Sequence, residues 1–169
     1  MVLEAATLII FPWLMAFAAS TDLFTMTISN RVSLALIVSF IVLALLVGLP
    51  VDLVLLNLSC GAAILLITFA FFAFGWIGGG DAKLAAATAV WLGWAQILNY
   101  GVIASLLGGG LTLAIVHMRK APIPQWALAK GWIARLHDSD NGVPYGIALA
   151  AAGLLVYPQT QFWRAALYG

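Results

Sequence analysis

Two aspartates are the strongest candidates for chemistry in this sequence. The 169 residues include only six acids, and Asp22 and Asp81 each stand at the end of a long apolar run. Ionisable side chains at the edge of a membrane span are costly, so they are functional candidates by default. If the two runs are neighbours, the acids share one proton, because a close pair cannot hold two full charges in a low dielectric. One carboxylate then acts as general base on water while the other polarises a carbonyl, as in an aspartic protease.

A glycine stretch positions the second acid. The segment Trp76–Leu84 reads Trp-Ile-Gly-Gly-Gly-Asp-Ala-Lys-Leu. Glycine costs about 1 kcal/mol relative to alanine inside a helix, so the run predicts a break with a new helix starting near Asp81. A carboxylate there meets free N–H groups and the positive end of the helix dipole. We expect Gly78 and Gly80 to make room for a substrate backbone and to take positive φ. A tight turn with an acidic cap is the alternative.

Composition sets the class of protein. Hydrophobic residues make up 64%, charged residues 8%, and the mean hydropathy is +1.11, whereas soluble domains average about 25% charged residues. We therefore expect an all-α, polytopic membrane protein with one domain over residues 1–169. The single Cys60 excludes a disulfide framework or a multi-cysteine zinc site within one chain. The separation of His117 and His137 matches no metal motif, and we expect no metal or other cofactor.

Hydropathy predicts about six transmembrane helices, since about 20 residues cross the hydrocarbon core. The predicted spans are residues 3–20, 32–49, 53–74, 82–94, 96–116 and 142–157. A polar segment, 21–31, follows the first span, and a charged loop, 117–141, precedes the last. Alternating spans put six of the seven basic residues on one side and only Arg164 on the other. The excess of basic residues marks the cytoplasmic side, so both aspartates face the cytoplasm and both termini lie outside.

The charged loop has its own pattern. Between Met118 and Asp138, tryptophans and leucines alternate with Lys130 and Arg135 at spacings that suit an amphipathic helix. Such a helix would lie on the inner membrane surface, anchored by Trp126 and Trp132. A role in docking substrate is the alternative interpretation.

Several motifs together resemble those of prepilin peptidases, the type IV leader peptidases. Gly78-Gly79-Gly80-Asp81 matches the GxGD signature of membrane aspartic proteases, and Asp81-Ala82-Lys83-Leu84 extends it as prepilin peptidases do. Asp22 followed by Ile28-Ser29-Asn30-Arg31 resembles the family's aspartate and Ile-Pro-Asn segment, with Ser29 in place of proline. Val143-Pro144-Tyr145-Gly146 resembles the Pro-Tyr-Gly segment of the short, tight-adherence (Flp-type) members.

The resemblance implies an activity, partners and a location. It implies a bacterial inner-membrane endopeptidase in which Asp22 and Asp81 are catalytic. The substrate would be a prepilin-like precursor with a basic leader and a hydrophobic helix, cut at the cytoplasmic face. Longer members also methylate the product and carry a further cytoplasmic domain, often with paired cysteines. The sequence shows neither, so we expect cleavage alone. The expected partners are the prepilin and the lipid bilayer, with no nucleic acid, and the oligomeric state stays open.

The remaining candidates keep two interpretations each. Lys83 either anchors the topology or favours ionisation of Asp81. Asn30 either orients the Asp22 loop or caps the second span. Pro144-Tyr145-Gly146 shapes the site or kinks the last helix. The run Gly108-Gly109-Gly110 is best explained by close helix packing.

Two other functions are consistent with intramembrane acids. A small transporter or proton-coupled channel also uses acids and glycine breaks, but it predicts acids near the middle of the membrane. A structural subunit of a secretion machine would use the aspartates only as helix caps.

Overall fold

Long apolar helices dominate the computed structural model, which describes the backbone of residues 2–168 and the side chains of residues 3–165. The helices are α1 (Val2–Thr25), α2 (Asn30–Leu46), α3 (Val51–Ala73), α4 (Gly79–Arg119), α5 (Gln125–Leu128), α6 (Gly131–His137), α7 (Tyr145–Val156) and α8 (Gln161–Tyr168), with a 3₁₀ turn at Tyr157–Gln159. Three of them, α1, α3 and α4, are long and apolar enough to cross a membrane. The described residues form no strand, so the all-α membrane class is confirmed, while the number of crossings stays a prediction.

Helix α4 turns back on itself at Gly93, which has φ +65° and ψ 177°. Asp81 and Thr112 line one cavity, although a straight helix would hold them about 46 Å apart. Residues 79–92 and 94–119 therefore run in opposite directions. Only glycine fits the turn, because a Cβ at Gly93 would lie 2.6 Å from Asn57 Oδ1. The two halves, joined by one residue, cover most of the fourth and fifth predicted spans. That each half crosses a membrane stays a prediction.

Helix α1 is longer than predicted. The polar segment was expected to leave the helix at Thr21, but α1 continues to Thr25 and holds Asp22 in its last turn. The threonines do not break the helix, because their hydroxyls donate to helix carbonyls, as Thr25 Oγ1 does to Thr21 at 2.6 Å. The helix ends at Thr25, and the next residue, Met26, has a φ of +55°, the left-handed conformation common after helix C-termini.

The charged loop forms two short helices, α5 and α6, so the prediction of one continuous amphipathic helix is wrong. Lys130 and Gly131 interrupt the pattern, with Lys130 in an extended conformation before α6. The segment packs on the end of α1: the Trp132 ring meets Phe24 edge-on with centroids 5.6 Å apart. Arg135 donates to the Phe24 carbonyl, which places a cation at the negative end of α1.

An aromatic cluster holds the opposite end of the bundle together. Trp91 is fully buried and donates Nε1–H to the Leu36 carbonyl at 2.8 Å, and Tyr157 donates its hydroxyl to the Thr7 carbonyl at 2.6 Å. The rings in contact are Phe11, Phe40, Trp91, Tyr157 and Phe162. Beyond the last predicted span, Gln161–Tyr168 forms a further helix, α8, which buries Phe162 in this cluster.

Candidate active site

Asp22 and Asp81 line one cavity of about 910 Å³. Asp22, in the last turn of α1, is 5% exposed, and Asp81 lies half-buried in the first turn of α4. Two negative charges in one cavity repel each other more strongly than they would in water, so the shared cavity favours a pair that holds one proton between two carboxyls.

Gly146 fixes the Asp22 carboxyl. Its N–H, in the first turn of α7, donates to Asp22 Oδ2 at 2.7 Å across 124 positions of sequence. A Cβ on Gly146 would lie 2.8 Å from that oxygen and 2.6 Å from Ile28 Cδ1. Pro144 is fully buried as the N-cap of α7. The Pro-Tyr-Gly segment therefore starts the helix, and the alternative that it kinks the last helix is wrong.

The glycines before Asp81 serve a different purpose from the one expected. Gly78 is the N-cap of α4 with φ −71°, and the positive φ in this connection belongs to Gly75. A Cβ on Gly80 would lie 3.2 Å from Ile28 Cβ, so the space beside Gly80 is filled by the α1–α2 connection. The expectation of positive φ and of room for substrate at Gly80 is wrong. At Gly78 a Cβ would lie 2.8 Å from Asp81 Oδ2, so this glycine leaves space for the carboxyl itself.

Lys83 and Asn30 join the starts of α4 and α2. Lys83 Nζ donates to Asn30 Oδ1 at 2.9 Å. Ser29, not Asn30, is the N-cap of α2, and its hydroxyl accepts from the Arg31 N–H at 3.3 Å. The contact holds the Ile28–Asn30 segment against the helix that carries Asp81.

Tyr145 lines the cavity from the other side and packs on Gly108. A Cβ on Gly108 would overlap the Tyr145 ring, 2.3 Å from Cε1, whereas at Gly109 and Gly110 it would meet no described atom within 4 Å. Close packing therefore explains the first glycine of this run and not the other two.

Arg119 is a site residue that the sequence analysis missed. Its Nε donates to the Leu136 carbonyl at 2.8 Å, and its Nη2 donates to the Asn141 and Gly142 carbonyls, each at 2.9 Å. These bonds tie the end of α4 to the segment that enters α7 and presents Gly146 to Asp22. A basic residue in the last turn of a helix was the available signal, but it does not reveal which carbonyls are bound.

Loss of the three Arg119 hydrogen bonds should lower the activity of the site. We expect Arg119→Met and Arg119→Lys each to reduce the rate about tenfold, because lysine cannot bind three separate carbonyls in the fixed geometry of guanidinium. The measurement is the catalytic rate at equal membrane abundance. Lys120→Met, which removes the neighbouring exposed cation, should keep the wild-type rate. Equal rates for Arg119→Met and Lys120→Met would show that the three Arg119 hydrogen bonds do not support the site.

One comparison with known proteins gives a match. The sequence model of the type IV leader peptidase family matches residues 9–113, more than half of the chain and both aspartates. No curated protein and no solved structure gives a significant match.

Proposed function

Because this membrane protease belongs to the type IV leader peptidase family, we propose that Asp22 and Asp81 are its catalytic dyad. The bond cut would join the basic leader of a prepilin-like precursor to its hydrophobic helix, at the cytoplasmic face. One observation carries the proposal: two acids from different helices line the same cavity. Both lie in terminal turns of their helices, which does not match the mid-membrane acids expected of a proton-coupled transporter. The short Flp-type subclass stays a prediction.

The dyad would hydrolyse the peptide bond without a covalent intermediate. One carboxylate takes a proton from water as the water oxygen attacks the scissile carbonyl carbon. The other carboxyl gives its proton to the carbonyl oxygen, which forms a neutral diol. The carbon–nitrogen bond then breaks as the leaving amine takes a proton from the dyad and the diol loses one. The Gly146 N–H holds Asp22 in a fixed orientation throughout.

The distribution of basic residues supports a cytoplasmic site. Lys83, Arg119 and Arg135 all contact segments next to the aspartates. Arg164 instead lines a cleft with Trp91 and Gln96, beside the aromatic cluster at the other end. Since basic residues favour the cytoplasmic side, the aspartates should face the cytoplasm.

Thiol labelling of intact cells tests this orientation. In a Cys60→Ala background, Gln125→Cys should be protected from a membrane-impermeant reagent, and Asp52→Cys, at the start of α3, should react. Both should react after the cells are permeabilised. The reverse pattern would place the site on the outer face and contradict the proposed cleavage of prepilins at the cytoplasmic face.

The activity itself is tested by co-expression with a candidate prepilin, followed as a shift in precursor mobility. Processing that requires both aspartates supports the proposal, and an unprocessed precursor beside a well-expressed wild-type protein contradicts it.

A further inference from the structure

The cavity extends past the aspartates, between α3 and the second half of α4. We call this part the groove; it is lined by Ile64, Thr68 and Phe71 of α3 and by Gly101, Ser105 and Thr112 of α4. The spacings of three, four and seven residues put each set on one face of its helix. On the α4 side every one of these residues is small.

The space at Gly101 is not used by the chain itself. A Cβ there would meet no described atom within 4 Å, and Gly101 is exposed. The space beside Gly108, on the same helix, is filled by the Tyr145 ring. The contrast shows that the groove beside Gly101 is open, whereas the neighbouring glycine serves internal packing.

Tyr100 gives a second, independent indication of a ligand. It lines the same cavity and is 3% exposed, yet its hydroxyl has no hydrogen-bond partner within the described part of the chain. Thr88 and Asp81 are the polar neighbours of Tyr100. The Thr88 hydroxyl donates to Met15 Sδ at 3.5 Å and could still accept a bond, but no hydrogen bond of standard geometry joins Tyr100 to either neighbour. A buried hydroxyl without a partner is unfavourable, so the site suits a ligand that brings a hydrogen-bond acceptor.

We propose that the groove binds the apolar helix of the substrate beside the bond to be cut, an inference that rests on the proposed function. Small residues let two helices approach closely in a membrane. The groove is continuous with the aspartates, so its occupant must join the scissile peptide. A helical peptide hides its carbonyls in i→i−4 bonds, so the segment at the aspartates must unwind. Tyr100 then donates to a carbonyl that unwinding leaves free.

A leucine placed at Gly101 tests the groove without removing any internal contact. We expect Gly101→Leu to raise the KM for a full-length prepilin at least about tenfold with little change in kcat, since it blocks binding and leaves the dyad intact. The matched control is Gly110→Leu on the same helix, where a Cβ is equally free but does not face the groove. Gly110→Leu should leave KM and kcat unchanged. Leucine is favoured over glycine in a helix, so neither Gly101→Leu nor Gly110→Leu should destabilise α4.

The outcomes distinguish a failure of the groove proposal from a failure of the proposed prepilin cleavage. A wild-type KM for Gly101→Leu overturns the proposal that the groove binds the substrate helix. A fall in kcat at unchanged KM also overturns it, because that result would indicate a disturbed dyad. A wild-type protein that cuts no prepilin instead refutes the proposed function.

Disulfide cross-linking tests binding directly and does not depend on the leucine variant. In an Asp81→Asn, Cys60→Ala protein, Ser105→Cys should cross-link to a cysteine in the substrate helix. Leu106→Cys, 72% exposed and outside the groove, should not. Equal cross-linking at both positions, or none at Ser105→Cys because a lipid chain fills the groove, would overturn the inference.

Discussion

Asparagine in place of either Asp22 or Asp81 is expected to reduce leader cleavage by at least about 10³-fold. The substitution keeps the size of the side chain and leaves an oxygen that accepts from the Gly146 N–H, which lies 2.7 Å from the Asp22 carboxyl. It removes the group that takes a proton from water or gives one to the carbonyl. Processing of a co-expressed prepilin, normalised to membrane abundance, is the measurement.

The double variant and a distant acid make this result specific. In the proposed dyad the two aspartates act as a unit, so Asp22→Asn with Asp81→Asn should be no slower than either single change. Asp52→Asn removes an exposed acid at the start of α3 and should process at the wild-type rate. Wild-type processing by the Asp81→Asn protein would refute the assignment of the dyad.

Gly146→Ala is expected to have the second largest effect, a loss of about 10- to 100-fold in kcat. The added carbon would lie 2.8 Å from Asp22 Oδ2 and 3.1 Å from its Cγ, closer than these atoms approach without a shift. Asp22 must therefore move relative to Asp81, and a small misplacement of a catalytic group is costly. Because the change does not touch the groove, KM for the prepilin should stay near its wild-type value.

Gly142→Ala is the matched control for this prediction. Gly142 also lines the cavity, but a Cβ there would meet no described atom within 4 Å. The carbonyl of residue 142 still accepts from Arg119, so the segment that leads into α7 keeps this contact. If the two alanine variants lose activity equally, the effect comes from the flexibility of the segment and not from the position of Asp22.

The family and the class of fold were accessible from sequence for a simple physical reason. Charges are so rare in this chain that two acids at the ends of apolar runs stand out, and the Gly-Gly-Gly-Asp motif adds a local signal at one of them. The prediction of a type IV leader peptidase is confirmed by the family match. Span boundaries were less accessible, because threonine hydroxyls that bond back to their own helix let α1 continue through a polar sequence.

The contacts that build the site were decided by the tertiary structure. Helices that are apolar on every side carry no periodic signal of which face packs inward, so sequence could not pair Gly108 with Tyr145 or Gly80 with Ile28. The Gly146 N–H reaches Asp22 across 124 positions, and no local pattern encodes such a bond. The sequence alone determined which acids are available for chemistry. Packing between distant helices decided how Asp22 is held, where α4 turns back, and which glycine leaves space for a partner.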